Sequence, residues 1–276
     1  MPAFDHFADF DFVGIAYVCV SHRFSESRDP LTVARDKPDF IAAAQTEGSL
    51  SGLRIGWRPR LGNTAVAREV LAICETALTA LAGLGAEITE LTAPLENPER
   101  AWFIVNGAYR MAQFGHHLER NRDIMCPSFV RQMDRIASCS AAELYDAIFQ
   151  RTRLYRQIQS WFTACDIVAM PTLSRSAVPI DQDFFGPIEI DGEAVENIRA
   201  AWYPYTMPFN LTGNPAVSLP AGFDSAGLPP RHPARRPARR RRHLIARCSR
   251  IRACSLLGAA KADGFISAHQ AIVAFG

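Results

Sequence analysis

A chain of 276 residues, 48% of them apolar or aromatic, with a formal net charge of +2, can bury a substantial core without disulfide or metal staples. Its seven cysteines, Cys19, Cys74, Cys126, Cys139, Cys165, Cys248 and Cys254, are odd in number and form no C-x-x-C pair, which argues against a secreted disulfide scaffold and for reduced thiols in the cytoplasm. The small net charge conceals a division: residues 231–276 carry ten Arg and one Lys against one Asp, whereas the preceding 230 residues carry 19 basic and 27 acidic groups.

No basic segment followed by an apolar run opens the chain, and Asp5, Asp9 and Asp11 interrupt the one candidate, so neither a signal peptide nor a membrane span is expected. The run Phe12–Val20 has strand composition but no cap or turn beside it, and residues 1–27 stay unassigned. Leu53–Trp57 predicts a short strand closed by Pro59. A helix follows, capped by Asn63 or Thr64, with Val70, Cys74, Ala77, Leu78 and Leu81 on one face. Gly83 and Gly85 stop it, and Ala86–Leu91 alternates as a strand does. Together these predict a β-α-β unit with a right-handed crossover and parallel strands.

Residues 98–120 and 128–137 read as helices, and Ser140 with Glu143 is a capping-box signature for a third. On that third helix Arg151, Arg153, Arg156 and Gln157 lie opposite the apolar face; a solvated face and a substrate-recognition face are both open readings. His116 and His117 point about 100° apart on a helix and have no third ligand at metal spacing, so no metal is expected. Asp166–Thr172 is an apolar run ended by Pro171, a strand emptying into the kind of loop where open α/β folds gather ligands. Residues 174–197, rich in Pro, Gly and acids, predict a loop without a core of its own.

The stretch PFNLTGNPAVSLPAGF, from Pro208, follows an aromatic cluster of Trp202, Tyr203 and Tyr205. Its Gly213-Asn214-Pro215 turn predicts Asn210 and Thr212 near a surface, with Val217 and Leu219 buried in the strand behind. Asn210 could offer a donor and acceptors to an amide ligand, or stabilise its own loop.

LRIGWRPRLGN with its helix and strand, WFTACDIVAMPT, and YTMPFNLTGNPAVSLPAGFDSAGLPP resemble, in order, the carboxyl-terminal half of the amidase signature family over residues 28–230. The most specific part is Pro208, Phe209, Asn210, Gly213, Pro215 and Ala216. The resemblance implies hydrolysis of carboxylic amides and related C–N bonds with no metal or organic cofactor. It also implies the fold class: α/β, a partial mixed, mostly parallel sheet flanked by helices. After Gly227-Leu228-Pro229-Pro230 the chain departs from the family, and its residues predict a basic, irregular carboxyl-terminal tail.

In the family a serine attacks, a second serine on a cis peptide relays its proton to a lysine, and a glycine- and serine-rich loop holds the oxyanion. All of these lie in the amino-terminal half. No Gly-Ser-Ser-Gly segment occurs here; Ser21, Ser25, Ser27, Ser49 and Ser51 lack a glycine-rich turn, and Lys37 sits in an ordinary polar run. No catalytic residue is therefore assigned, and only Arg153, Arg156 and Asn210 are candidates for lining a pocket.

The expected division is residues 1–27 unassigned, 28–230 an amidase-like half, and 231–276 an arginine-rich unmatched tail with prolines at 233 and 237. On this reading the chain is an inactive fragment, with a shift of reading frame after Pro230. Two alternatives stand beside it. One is a component that completes an active amidase with a separately encoded amino-terminal half, a small amide being bound only in that complex. The other is anion or nucleic-acid binding through the tail, salt-sensitive and without aromatic platforms in residues 231–260.

Overall fold

The structure, a computed structural model, describes residues 49–61, 65–214, 216–222 and 224–225, together with the strand backbone of 269–275. The run Phe12–Val20, the serines at 21, 25 and 27, Lys37, the Asn63/Thr64 cap and the arginine run lie outside the described residues.

The β-α-β unit forms as its periodicity predicts. Strand β1 (Arg54–Trp57) pairs in parallel with β2 (Glu87–Glu90), Ile55 opposite Ile88. The crossover helix α1 (Arg68–Gly83) buries Val70, Cys74 and Leu78, one face at i, i+4, i+8. Gly85 then turns the chain at φ 99° beside the Ser51 backbone, a conformation that favours glycine.

Three longer helices follow: α2 (Glu99–Asn121), α3 (Pro127–Ile136) and α4 (Ala141–Trp161). Pro127 opens α3, where the missing N–H costs nothing. At the start of α4 the Ser140 hydroxyl accepts from the Glu143 N–H at 3.2 Å, and the Ser140 N–H donates to the Glu143 carboxylate at 3.0 Å. That N–H, together with the Ser140 hydroxyl 3.1 Å from the same carboxylate oxygen, holds the Glu143 carboxyl below its usual range. Ser140→Ala is expected to cost about 1 kcal/mol, read as a lower urea midpoint with an unchanged m-value.

Strand β3 (Ile167–Pro171) is buried at every position, as a central strand should be. The hairpin β4 (Ile188–Ile190) and β5 (Glu193–Val195) comes next, then the short helices α5 (Ile198–Trp202) and α6 (Thr206–Thr212), and the strands β6 (Ala216–Gly222) and β7 (His269–Phe275). The main sheet has the order β2-β1-β3-β7-β6, and β4-β5 forms a separate two-stranded sheet.

This corrects the expected fold class. The sheet is mixed as expected: β1 is parallel to β2 and to β3, and β7 alone runs against its neighbours β3 and β6, so what fails is the weight given to the sheet. Among the described residues helix far outweighs strand, and both sheets are small and open. The reason lies in α2 to α4. Ala101, Ile104, Ile136, Ala147, Leu154 and Leu211 form a cluster that contains no strand residue, so these helices build a core among themselves rather than serve only as cover for a sheet. The sheet's own core joins Val70, Cys74 and Leu78 of α1 to Ile55 and Trp57 of β1, Ile167 to Met170 of β3, and Ile158 and Trp161 at the end of α4.

The tail expectation changes too: the segment after Pro230, read as irregular, supplies β7, with Ala274 opposite Ala216 of β6 and Val168 of β3. Residues 174–197 also differ from expectation, because Ile188 and Ile190 of the hairpin pack with Ile198 and Ala201 in a small core of their own.

Candidate functional site

Beyond Pro171 the chain leaves β3 but stays buried through Thr172, Leu173 and Ser174. The Thr172 and Ser218 hydroxyl oxygens lie 2.8 Å apart and share a hydrogen bond, bridging this loop to β6. The Ser174 N–H donates to the Trp202 carbonyl at 2.8 Å, and its own carbonyl accepts from the Ala67 N–H at 2.7 Å. The loop is thus tied to the end of α5 and the entry to α1. Ser174 Oγ is fully buried with no hydrogen-bond partner among the described residues.

The PFN stretch is helical rather than a loop rim. Pro208 falls in the first turn of α6, where proline fits, and Gly213 ends the helix at φ 71°. Met207 and Phe209 are buried, and the wholly buried Tyr205 donates its hydroxyl to the Pro59 carbonyl at 2.7 Å. Burial pushes the Tyr205 phenol well above its ordinary pKa, so it stays a neutral donor. Thr212 donates to Oδ1 of the buried Asn214 at 2.8 Å. Thr172 pairs with Ser218 and Thr212 with Asn214, hydroxyls and an amide of the kind suited to a neutral polar ligand. Among the described residues there is no lysine, and the two described histidine side chains, His116 and His117, lie exposed on α2 with ring centroids 3.8 Å apart.

Nearby, a cleft of about 380 Å³ is lined by Asn97, Glu99, Arg100, Phe103, Arg135, Asn197 and Arg199. None of the pocket candidates from the sequence is among them. Asn210 is exposed on α6. Arg153 and Arg156 are exposed on α4, and Arg153 is paired with Glu96 through contacts of 3.2 and 3.0 Å, an ordinary surface ion pair. Thr172 and Ser174 are signalled in the sequence only by the position of their loop, after a proline-ended apolar strand, and Ser218 only by lying in the strand expected after Pro215. Among the described residues no helix is long and apolar enough to cross a membrane, and no group of three His, Cys, Asp or Glu side chains could hold a metal ion.

A protein-family model described as Amidase matches residues 16–229. An acylamidase of Rhodococcus erythropolis is 29% identical over 210 residues, covering 74% of this chain and 42% of that protein. A component of the glutamyl-tRNA(Gln) amidotransferase of Granulibacter bethesdensis is 26% identical over 231 residues, covering 74% of this chain and 44% of that one. Among solved structures, a bacterial aryl acylamidase of the amidase signature enzymes superposes with a TM-score of 0.65 at 18% identity, over 91% of this chain and 45% of that one. A chain from a vestigial protein complex, described as revealing the origins of an s-triazine catabolic enzyme, superposes with a TM-score of 0.70 at 17% identity, over 94% and 53%. The chain spans less than half the length of these two curated relatives.

The family match begins at residue 16, not 28, and takes in most of the chain as one amidase domain. It overturns the expectation of a mere carboxyl-terminal remnant, and with it the inactive fragment and the shifted frame after Pro230. The expected partner, a separately encoded amino-terminal half, falls for the same reason. The fragment reading rested on the missing catalytic groups and their glycine- and serine-rich loop, and the shifted frame on the arginine-rich composition after Pro230, whereas the match is spread over 16–229 and the segment after Pro230 returns to the sheet as β7.

Proposed function

With its family match running across residues 16–229, the chain belongs to the amidase family, and we propose that it serves in the hydrolysis of carboxylic amide C–N bonds, with an acylamide as substrate. The family match carries this reading. The likeness to an acylamidase in sequence and to an aryl acylamidase in fold supports the substrate class.

Cleaving an amide takes an attacking hydroxyl, a base to receive its proton, and donors for the oxyanion of the tetrahedral intermediate. In this reading the described residues form the wall that holds the amide. Thr172, Ser174, Ser218 and Asn214 supply neutral donors and acceptors, and no described residue is assigned the attack or the proton transfer. The cytoplasm is the proposed setting, supported by the free thiols of Cys74, Cys126, Cys139 and Cys165.

The test is release of arylamine from a simple anilide, and of ammonia from an aliphatic amide, by the folded chain. Release above the uncatalysed rate is expected, faster for the anilide. A chain that gives a cooperative unfolding transition yet releases neither product overturns the proposal.

A further inference from the structure

Four arginines from three separate elements converge beside the cleft at α2, α3 and α5. Arg131 and Arg135 of α3 and Arg199 of α5 all stack on the ring of Phe185, with guanidinium carbons 4.6, 4.5 and 4.3 Å from its centroid. Arg110 of α2 donates to Gln132 Oε1 at 2.9 Å and lies near enough to Arg199 to act on its charge. Like charges so arranged repel, and the face of one ring offsets only part of that cost.

The carboxylates nearby are committed to other groups. Asp183 forms a two-pronged ion pair with Arg131. Arg100 is answered by Glu143 and Asp146, each at 3.4 Å, and the Glu99 carboxylate accepts from the Asn197 side-chain amide. Arg199 donates its Nε to the Phe184 carbonyl at 3.3 Å, and half-burial and the surrounding arginines lower its pKa. That leaves Arg135, which feels the Asp183 carboxylate without pairing with it, and Arg199 as two neighbouring guanidiniums that both line the cleft and form no ion pair among the described residues. Phe103 adds an apolar patch to the lining.

We propose that this cleft binds a small aryl carboxylate, its carboxylate held by Arg135 and Arg199 and its ring set against Phe103. The guanidinium fork matches a carboxylate in two-pronged fashion, and two such forks on one wall outweigh the single, already engaged Glu99. The cleft is large enough for a small ligand. It is distinct from the hydroxyl-lined loop after β3, and the proposal does not depend on amide hydrolysis.

Calorimetric titration of the full chain with benzoate, with acetophenone, an uncharged analogue that has no amide to cleave, and with inorganic phosphate tests it. Benzoate is expected to bind at least tenfold more tightly than either of the others, and more weakly as sodium chloride is raised. The double variant R135Q/R199Q should lose at least tenfold in benzoate affinity, while Arg153→Gln, at an ion pair outside the cleft, should leave it unchanged. Should the double variant unfold, benzoate protection of Arg135 and Arg199 from an arginine-specific dicarbonyl reagent replaces that arm. Equal affinity for acetophenone, phosphate binding as tight as benzoate, benzoate binding that survives the double variant, or no protection would each overturn the proposal.

Discussion

Replacing Arg58 by alanine is expected to lower stability by about 3 kcal/mol, among the larger effects of a single change. Arg58 follows β1 and is only 5% exposed, unusual for a residue that must stay charged. Its backbone N–H donates to the Ala169 carbonyl at 2.9 Å, extending the β1–β3 ladder by one bond. Its guanidinium lies 4.5 Å from the centroid of the Trp161 ring and donates to the carbonyls of Leu91 and Ala93, just after β2. One side chain thus joins β1, the exit from β2 and the end of α4. Truncation leaves two carbonyls without a charged donor, each worth about 1 to 3 kcal/mol when buried, and opens space under the indole. Burial lowers the Arg58 pKa, and Nε has no partner among the described residues, so the arginine already bears a desolvation cost that tempers the loss. Urea unfolding of Arg58→Ala, Trp161→Ala and the double variant separates these contributions. A coupling of about 0.5 to 2 kcal/mol is expected for the stacked pair, and a loss below about 1 kcal/mol for Arg58→Ala would show that the guanidinium holds nothing together.

Arg58 also marks how far the sequence could be read. In a sequence it is one more charged residue beside a proline; only the packed α4 gives it a ring to lie on. Elements made by contacts close in sequence were legible. The face Val70, Cys74 and Leu78 was set by helical spacing, and the Ser140–Glu143 box by chemistry three residues apart. Elements made by distant pairing were not. Strand β7 joins residues 269–275 to partners at 167–171 and 216–222, and the short apolar run HQAIVAF does not by itself say which strands it joins. The hairpin after Gly186 escaped notice because its strands are three residues long, too short for alternation to register. The candidate sites divide in the same way. A strand ending at Pro171 drew attention to the loop of Thr172 and Ser174, and Arg153 and Arg156 did so as a run on one helix, whereas Arg110, Arg131, Arg135 and Arg199 meet only after three elements fold around Phe185.

Valine at position 107 is expected to destabilise the protein by about 2 to 3 kcal/mol, through crowding rather than lost contact. Gly107 lies in the middle of α2, where glycine costs about 1 kcal/mol of helix stability relative to alanine, so a packing reason for it is needed. The structure supplies one. Gly107 is buried, and a Cβ added there would stand 2.9 Å from Cγ1 of Ile136, and 3.2 Å from its Cβ and Cδ1. The missing side chain lets the last turn of α3 lie close against α2, with Ile136 in the cluster that Ala101, Ile104 and Leu154 complete. Alanine sets the helix-propensity gain against that contact and should come out within about 1 kcal/mol of the native protein. Valine adds two more carbons against the same side chain, and either Ile136 leaves its rotamer or α3 moves away. Ile136→Ala alone should cost about 2 to 5 kcal/mol by opening a cavity, but in the Gly107→Val background it should cost at least about 1 kcal/mol less, since the new methyls fill part of the vacated space. Urea midpoints of the two single variants and the double variant measure this directly. Strictly additive losses, or a Gly107→Val protein as stable as the native one, would mean that α2 and α3 do not approach at this glycine.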